Sequence, residues 1–197
     1  MSTPLTLRII RDEHGALAAM LRSIPLLLAE HRRQGSLPDF AALRAMLFYV
    51  DEFPERLHHP KETELLFPKL RSRAPELRET LDRLDADHDR GEHAIRDLEH
   101  SLLAFEMLGE PRRERFEQQV ERYVASYLKH MEVEEREILP AAMKLLSPED
   151  WDDLDEAFAA NRDPLTGHAA DAGYEQLFHR IVNLVPAPYG LGPALSK

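Results

Sequence analysis

The sequence predicts an all-α protein, folded as an up-down-up-down four-helix bundle with extra C-terminal helices. Apolar residues recur at steps of three, four and seven along most of the chain, which is the spacing of one face of an α-helix. With 197 residues, 43% of them hydrophobic, the chain can bury one sizeable core. We therefore expect residues 1–146 to form the bundle. Residues 147–197 are expected to form a helical extension packed on the bundle or on a partner chain.

The first helix is predicted at residues 5–33, and a second helical segment follows Asp39, which is a good N-cap residue. Pro60 has no backbone N–H and crowds the preceding turn. We therefore expect it to break or kink this segment into pieces at 39–58 and 60–73. The buried face of the first piece is predicted to carry Leu43, Leu47, Val50 and Leu57.

The third and fourth helices are predicted at residues 75–108 and 111–146, where the apolar stripes are clearest. The stripe of the fourth helix contains Phe116, Val120, Tyr123, Tyr127, His130, Glu134 and Ile138. Ser147-Pro148 is a typical helix start, so a short fifth helix is expected at 148–160. A sixth helix is expected at 168–185, followed by an irregular tail rich in proline and glycine.

Composition excludes several classes of function. The sequence has no cysteine, which removes disulfides, zinc–thiolate sites and thiol catalysis. The formal net charge of −11 argues against nucleic acid or an anionic membrane as the main partner. The N-terminus lacks a signal-peptide pattern, and no apolar run approaches the length that spans a bilayer. We therefore expect a soluble cytoplasmic protein, for which a homodimer is one arrangement that the sequence allows.

Two segments of the chain repeat one pattern. Residues 58–68 read HHPKETELLFP, and residues 130–140 read HMEVEEREILP. Each segment has a His at its start, a Glu four residues later and a Pro six residues after that Glu, and the shared positions lie 72 residues apart (130 − 58). Side chains four apart on a helix lie on the same face. Each segment can therefore direct an imidazole and a carboxylate at one point.

The other inward positions of the predicted bundle add two more histidines at the same level. The six candidate metal ligands are His14, His58, Glu62, His88, His130 and Glu134. Buried carboxylates and imidazoles without partners would cost several kcal/mol each, so their convergence in a core indicates a bound cation. Four imidazoles and two carboxylates suit a pair of first-row metals. Iron is the leading candidate, with manganese and zinc as alternatives.

The arrangement resembles the hemerythrin-like family, whose members carry histidine-histidine-glutamate cation-binding motifs. The resemblance covers about residues 5–146 and rests on Asp12-Glu13-His14, on the two repeated segments and on Asp87-His88. It implies a four-helix bundle that holds a non-haem di-iron centre with an oxo or hydroxo bridge. Such a centre binds or reacts with dioxygen or related small molecules, namely peroxide or nitric oxide.

Two departures from the oxygen-carrying members of that family bear on function. The carriers have a His-x3-His pair on the third helix, where this chain has Glu92 four residues after His88. The carriers also end with His-x4-Asp, where this chain has Glu134 four residues after His130. These differences favour sensing, peroxide or nitric oxide chemistry, or iron handling over reversible oxygen carriage. Whether the protein is an enzyme stays open, as do a sensory module that signals through the C-terminal helices without catalysis and a purely structural bundle.

Four further residues are optional members of the site. His59 points about 100° away from His58 on an ideal helix, so it is predicted to lie beside the site or at the surface. Glu92, one turn after His88, is the best optional ligand. For Tyr123 and Tyr127 the first interpretation is core packing with a satisfied hydroxyl group. The alternative is a hydrogen bond near the metals or a redox-active phenol.

Overall fold

The computed structural model describes residues 3–168 and 174–184, and all regular secondary structure within these ranges is helical. Four long helices form the body of the protein: α1 (Leu5–Gln34), α2 (residues 40–71), α3 (Arg78–Leu108) and α4 (residues 113–145). Short 3₁₀ turns at Pro75–Leu77 and Glu110–Arg112 lead into α3 and α4. The all-α prediction is confirmed. None of the described helices combines the length and the apolar composition that a bilayer crossing requires.

The four helices enclose two separate apolar clusters. Helix α1 contacts α2 and α4, and α3 contacts the same two helices. The large core cluster includes Leu17, Leu21, Ile24, Leu43, Leu47, Ile95, Leu102, Phe105, Phe116 and Val120. The small core cluster includes Leu7, Ile10, Leu66, Phe67, Leu81, Leu84, Ile138 and Leu139. Between the two clusters each helix turns polar residues inward, as His14 does between Ile10 and Leu17 on α1.

Helix α2 continues through Pro60, so the predicted break is absent, although a π turn ends at His58, two residues before the proline. The helix accommodates its prolines with π-helical turns at Asp51–His58 and Glu62–Leu66. In the first of them the His59 N–H donates to the carbonyl of Pro54, five residues back. The wider π turn rotates the following side chains relative to an α-helix. As a result Leu57, predicted to be in the core, is 37% exposed, and His58 faces inward instead.

Helix α4 contains the counterpart of the second π turn, at Glu134–Ile138. The N–H of Phe67 donates to the carbonyl of Glu62, and that of Leu139 donates to the carbonyl of Glu134. Each of these donors is followed directly by a proline, which cannot donate to the carbonyl four residues before it. The repeated sequence pattern is therefore also a repeat of backbone conformation.

The described part of the extension packs on the bundle. Helix α5 (Pro148–Ala159) begins with a capping box between Ser147 and Asp150 and lies against α1. Its Leu154 and Phe158 belong to the small core cluster. Helix α6 (Glu175–Leu184) lies against α2. It begins seven residues later than the predicted start at residue 168 (175 − 168). The predicted tail from residue 186 onward lies outside the described residues.

The first turn of α1 is capped from the extension. No side chain next to Pro4 caps this helix. Instead the carboxylate of Asp155 accepts hydrogen bonds from the backbone N–H groups of Leu5 (3.1 Å) and Thr6 (2.7 Å) and from the Thr6 hydroxyl (2.6 Å). The carboxylate thus satisfies free N–H groups at the positive end of the helix dipole.

We predict that Asp155→Ala destabilises the protein by about 1–2 kcal/mol, since a helix cap and a hydroxyl partner are lost together. Urea unfolding followed by circular dichroism measures the change. The matched control is Asp152→Ala, because Asp152 is an exposed acid on the same helix. Equal stabilities for the two variants would contradict the long-range cap.

Candidate metal centre

The structure brings all six predicted ligands together between the two core clusters. Each is buried, with at most 7% of its surface exposed: His14, His58, Glu62, His88, His130 and Glu134. The spacing of four places His58 and Glu62 on one face of α2, and it does the same for His130 and Glu134 on α4. Helices α1 and α3 each add one histidine at the same level.

Glu62 divides its two oxygens between two histidines. Its Oε1 lies 3.3 Å from His58 Nε2, and its Oε2 lies 3.6 Å from His88 Nε2. The carboxylate therefore faces one imidazole from its own helix and one from α3.

Glu134 does the same from the other side of the bundle. Its Oε2 lies 3.5 Å from His14 Nε2, and its Oε1 lies 3.1 Å from His130 Nε2. The donor atoms consequently form two groups, which we call the His14/His58 half and the His88/His130 half of the centre. The donor atoms of His14, His58 and Glu62 lie within 4.8 Å of one another, and so do those of Glu62, His88, His130 and Glu134.

The four carboxylate oxygens fit a pair of cations. None of the side-chain oxygens of Glu62 and Glu134 accepts a hydrogen bond from any residue that the structure describes, and His58 Nε2 has no such partner either. In the His88/His130 half, the two Nε2 atoms of His88 and His130 lie 3.1 Å apart. Buried polar atoms are normally hydrogen-bonded, and leaving them unpaired costs free energy. Two cations, each between a pair of imidazoles and one oxygen of each carboxylate, would satisfy these atoms.

The outward nitrogens of the histidines face partners that follow the sequence repeat, although His130 Nδ1 makes no hydrogen bond among the described residues. Glu13 accepts from His58 Nδ1 at 2.6 Å, and Asp87, which directly precedes His88 as Glu13 precedes His14, lies 3.7 Å from His130 Nδ1. Each acid thus serves the histidine of the neighbouring helix rather than the one beside it. Such partners fix the orientation and tautomer of a ligand histidine.

The residues that follow the two glutamates complete this pattern. Glu135 accepts from His14 Nδ1 at 3.1 Å. The Thr63 hydroxyl donates to Asp85 at 3.0 Å, so its oxygen accepts from His88 Nδ1 at 2.8 Å. Sequence reasoning had no role for these residues. The offset of 72 between Thr63 and Glu135 is the signal that could have paired them (135 − 63).

His59 is buried beside the centre, not at the surface. Its ring stacks on that of His88 with centroids 4.0 Å apart, and its donor atom lies within 4.8 Å of those of His88 and His130. His59 Nδ1 donates to Glu55 at 2.9 Å, and its Nε2 accepts from the Tyr127 hydroxyl at 2.9 Å. The site reached by His59 is therefore the His88/His130 half.

Glu92 does not reach the centre, so the expectation that it could serve as a ligand is wrong. It is exposed and paired with Arg96 on its own helix. Gly91 takes the inward position on α3, and a Cβ atom there would lie 2.9 Å from Glu55 Oε1. The missing side chain leaves room for the carboxylate that holds His59.

Burial and charge act against each other on the histidines. Burial lowers the pKa of His130, but Glu134 and Asp87 outweigh it and raise that pKa to about 10. His58 behaves alike, since Glu62 and Glu13 overcome burial and raise its pKa well above the usual value. His59 differs. Burial and the neighbouring His88 and His130 lower the pKa of His59 well below its usual value, so it is neutral.

Burial raises the pKa of the acid and of the two phenols next to His59. Burial raises the pKa of Glu55 to about 7, although a hydrogen bond from the Tyr123 hydroxyl (3.1 Å) acts against the shift. Burial and the Glu55 charge raise the pKa of both Tyr123 and Tyr127 well above the usual value. Both tyrosines pack in the large core cluster, and their hydroxyls are satisfied by Glu55 and His59, which agrees with the first interpretation. A redox role for either phenol stays a prediction.

Three openings among the described residues reach the surroundings of the centre. A small cavity of about 20 Å³ touches His14, His58 and His59 and is also lined by Asn161 and Asp163 of the extension. A cleft of about 320 Å³ between α3 and α4 reaches His59 and His130, and another of about 470 Å³ between α1 and α4 reaches His14 and Glu135. Both clefts have room for more than a water-sized molecule, unlike the small cavity.

Comparison with known families gives one match. The sequence model described as hemerythrin HHE cation binding domain matches residues 5–142, which is more than half of the chain and includes all six predicted ligands. Helices α5 and α6 lie beyond the matched range. No curated protein and no solved structure matches the chain.

We predict that the metal-free protein loses stability as the pH rises from about 6.5 to about 10. The pKa of His130 is about 10 in the folded protein and about 6.5 in an unfolded chain. The folded state therefore binds more protons in this window, and its advantage disappears as His130 deprotonates. Urea unfolding at several pH values measures the slope. His130→Gln should flatten it, and a stability that stays level or rises in the unsubstituted protein would contradict the assignment.

Proposed function

The chain belongs to the hemerythrin HHE cation-binding family, and on that premise we propose that it is a non-haem di-iron protein that binds or reacts with dioxygen, hydrogen peroxide or nitric oxide. The observation that carries the proposal is the pair of buried glutamates whose four oxygens accept no hydrogen bond from the described residues and each face one of four imidazoles. The order of contacts α1–α2–α3–α4–α1 supports an up-down-up-down bundle around this centre.

The donor set assigns the residues of the proposed centre. His14 and His58 would hold one metal, His88 and His130 the other, and Glu62 and Glu134 would bridge them. Nitrogen and oxygen donors without sulfur suit iron, with manganese and zinc as alternatives. Bound iron would supply the one-electron chemistry and the open coordination positions that small oxygen and nitrogen ligands need.

A chain of hydrogen bonds lies next to the His88/His130 half. The Tyr127 hydroxyl donates to His59, His59 donates to Glu55, and the Tyr123 hydroxyl donates to the same carboxylate. The phenols keep their protons because burial raises their pKa values. We infer that these residues hold a proton close to a bound small molecule and orient His59 toward the centre.

Small molecules would enter through the cleft between α3 and α4. This opening reaches His59 and His130, and its mouth is formed by exposed residues such as Arg122 and Ser126. In the other half Phe158 and Asn161 of the extension lie beside His58, and a separate cleft between α1 and α4 reaches His14. We place the proposed reaction side at the His88/His130 half, because the cleft there also reaches His59 and its hydrogen-bond partner Tyr127.

A second candidate is a metal-dependent sensory module that signals through the C-terminal helices. The observation in its favour is direct contact between the extension and the site, since the Phe158 ring lies edge-on to His58 with centroids 5.8 Å apart. A change of metal or oxidation state that moves the His58 ring would therefore displace Phe158 and with it α5. For either candidate, a cytoplasmic location and the absence of a nucleic-acid or membrane partner remain predictions, and so does a homodimer.

We predict that the purified protein, reconstituted with ferrous iron, binds about two irons per chain and shows near-ultraviolet bands that change on exposure to air or peroxide. Glu62→Gln and Glu134→Gln should each lose most of the metal, because a bridging oxygen loses its charge. Glu92→Gln is the control, as this acid is exposed and should leave the iron content unchanged. Metal analysis that finds no iron in the unsubstituted protein, or normal iron in the bridging variants, would refute the proposal.

We also predict that Ser126→Phe slows the reaction of the iron-loaded protein with dioxygen or peroxide several-fold, because the larger ring narrows the cleft. Stopped-flow absorbance measures the second-order rate constant. Ala125→Phe is the matched control, since Ala125 is an exposed neighbour on α4 outside the cleft lining. Iron content should be equal in both variants. Equal rates would mean that small molecules reach the centre by another route.

A further inference from the structure

The segment after α5 reaches into the surroundings of the metal centre. Asn161 lies beyond the end of the family match at residue 142, yet it is only 5% exposed. Its Nδ2 donates to Glu13 Oε2 at 3.0 Å, and its Oδ1 accepts a hydrogen bond from Lys61 Nζ. One side chain of the extension therefore connects α1 with α2 at the level of the centre.

The oxygen that Asn161 binds is the one that holds a ligand. Glu13 Oε2 also accepts from His58 Nδ1 at 2.6 Å, so a single atom receives both hydrogen bonds. The position of this oxygen sets the orientation of the His58 ring, whose Nε2 lies 3.3 Å from Glu62. A shift of Asn161 would consequently be passed through Glu13 to the ligand atom.

The other half of the centre has no comparable support from the extension. The acid equivalent to Glu13 is Asp87, which lies 3.7 Å from His130 Nδ1 and pairs with the exposed Arg90 on its own helix. Among the described residues, no side-chain amide donates to Asp87. The two halves thus share a pattern of ligands but differ in what holds the outer acid.

Side-chain packing, like the hydrogen bonds of Asn161, connects the extension to the His14/His58 half of the centre. Phe158 is fully buried in the small core cluster, and its ring lies edge-on to His58 at an interplanar angle of 86°. It makes no ring contact with His88 or His130 among the described residues. Among the four candidate histidine ligands, the ring contact of Phe158 is therefore with His58 of the His14/His58 half.

We propose that Asn161 is a positioning residue of the metal centre, which holds Glu13 and thereby His58 so that the His14/His58 half retains its metal. The proposal rests on the proposed di-iron function. It assigns the extension a share in the site that the HHE domain by itself does not have, and it makes the two metals unequal in their dependence on the extension. The His88/His130 half keeps its metal when Asn161 is replaced.

The test compares the release of iron from the full-length, iron-loaded protein and from Asn161→Ala. A chelator with a coloured iron complex records the time course, and metal analysis records the stoichiometry. We expect one of the two irons to leave about tenfold faster in the variant, at the lower end of the effect of partners that orient ligands, because Asn161 acts through Glu13. The second iron should leave at the rate of the unsubstituted protein. Asn161→Asp should behave alike, since it places a carboxylate against Glu13.

The matched control is Asp155→Ala, which loosens the extension at its contact with α1 but has no contact with Glu13. It should lose stability and keep both release rates. Unchanged release from Asn161→Ala, equal acceleration of both irons, or the same acceleration in Asp155→Ala would overturn the inference while leaving the di-iron function in place. An unsubstituted protein that takes up no iron would instead overturn the proposed function itself.

Discussion

Two buried carboxylates, Glu62 and Glu134, impose the constraint on which the rest of the structure depends. A carboxylate oxygen is expensive to bury unless a cation or a donor satisfies it, and here four carboxylate oxygens that accept no hydrogen bond from the described residues lie between two apolar clusters. The bundle is therefore divided into a large and a small core, with a polar layer between them. Each long helix contributes to both cores and to the layer, so metal binding and packing are properties of the same helix faces.

Internal repetition gives the centre its symmetry. The acid before each single histidine faces the histidine of the next helix, and the residue after each of the two buried glutamates holds the histidine of the opposite pair. The backbone repeats as well, because Glu62 and Glu134 both begin π turns that end two residues before a proline. Each π turn directs its glutamate and the apolar residue four positions later, Leu66 or Ile138, toward the interior. Ligand geometry and core packing thus have one local cause.

The two halves of the centre differ where the repeat fails. His59 in the first segment corresponds to Met131 in the second, so only the His88/His130 half has a third imidazole nearby. Gly91 leaves space there for Glu55, and the cleft between α3 and α4 opens on the same side. In the opposite half Phe158 contacts His58 and Asn161 donates to Glu13. A nearly symmetric set of candidate ligands therefore has different surroundings in its two halves.

The sequence by itself determined the helical class, the six inward residues and the repeat, because these depend on local periodicity: a spacing of four places His130 and Glu134 on one helix face whatever surrounds them. Only the tertiary structure decided the burial of His59, the exposure of Leu57 and the failure of Glu92 to reach the site. Those outcomes depend on π turns, which shift the phase of a helix, and on the direction in which α3 faces its neighbours. The cap by Asp155 and the contact of Asn161 with Glu13 join residues about 150 positions apart. No local pattern encodes such contacts, since they exist only once the extension has packed on the bundle.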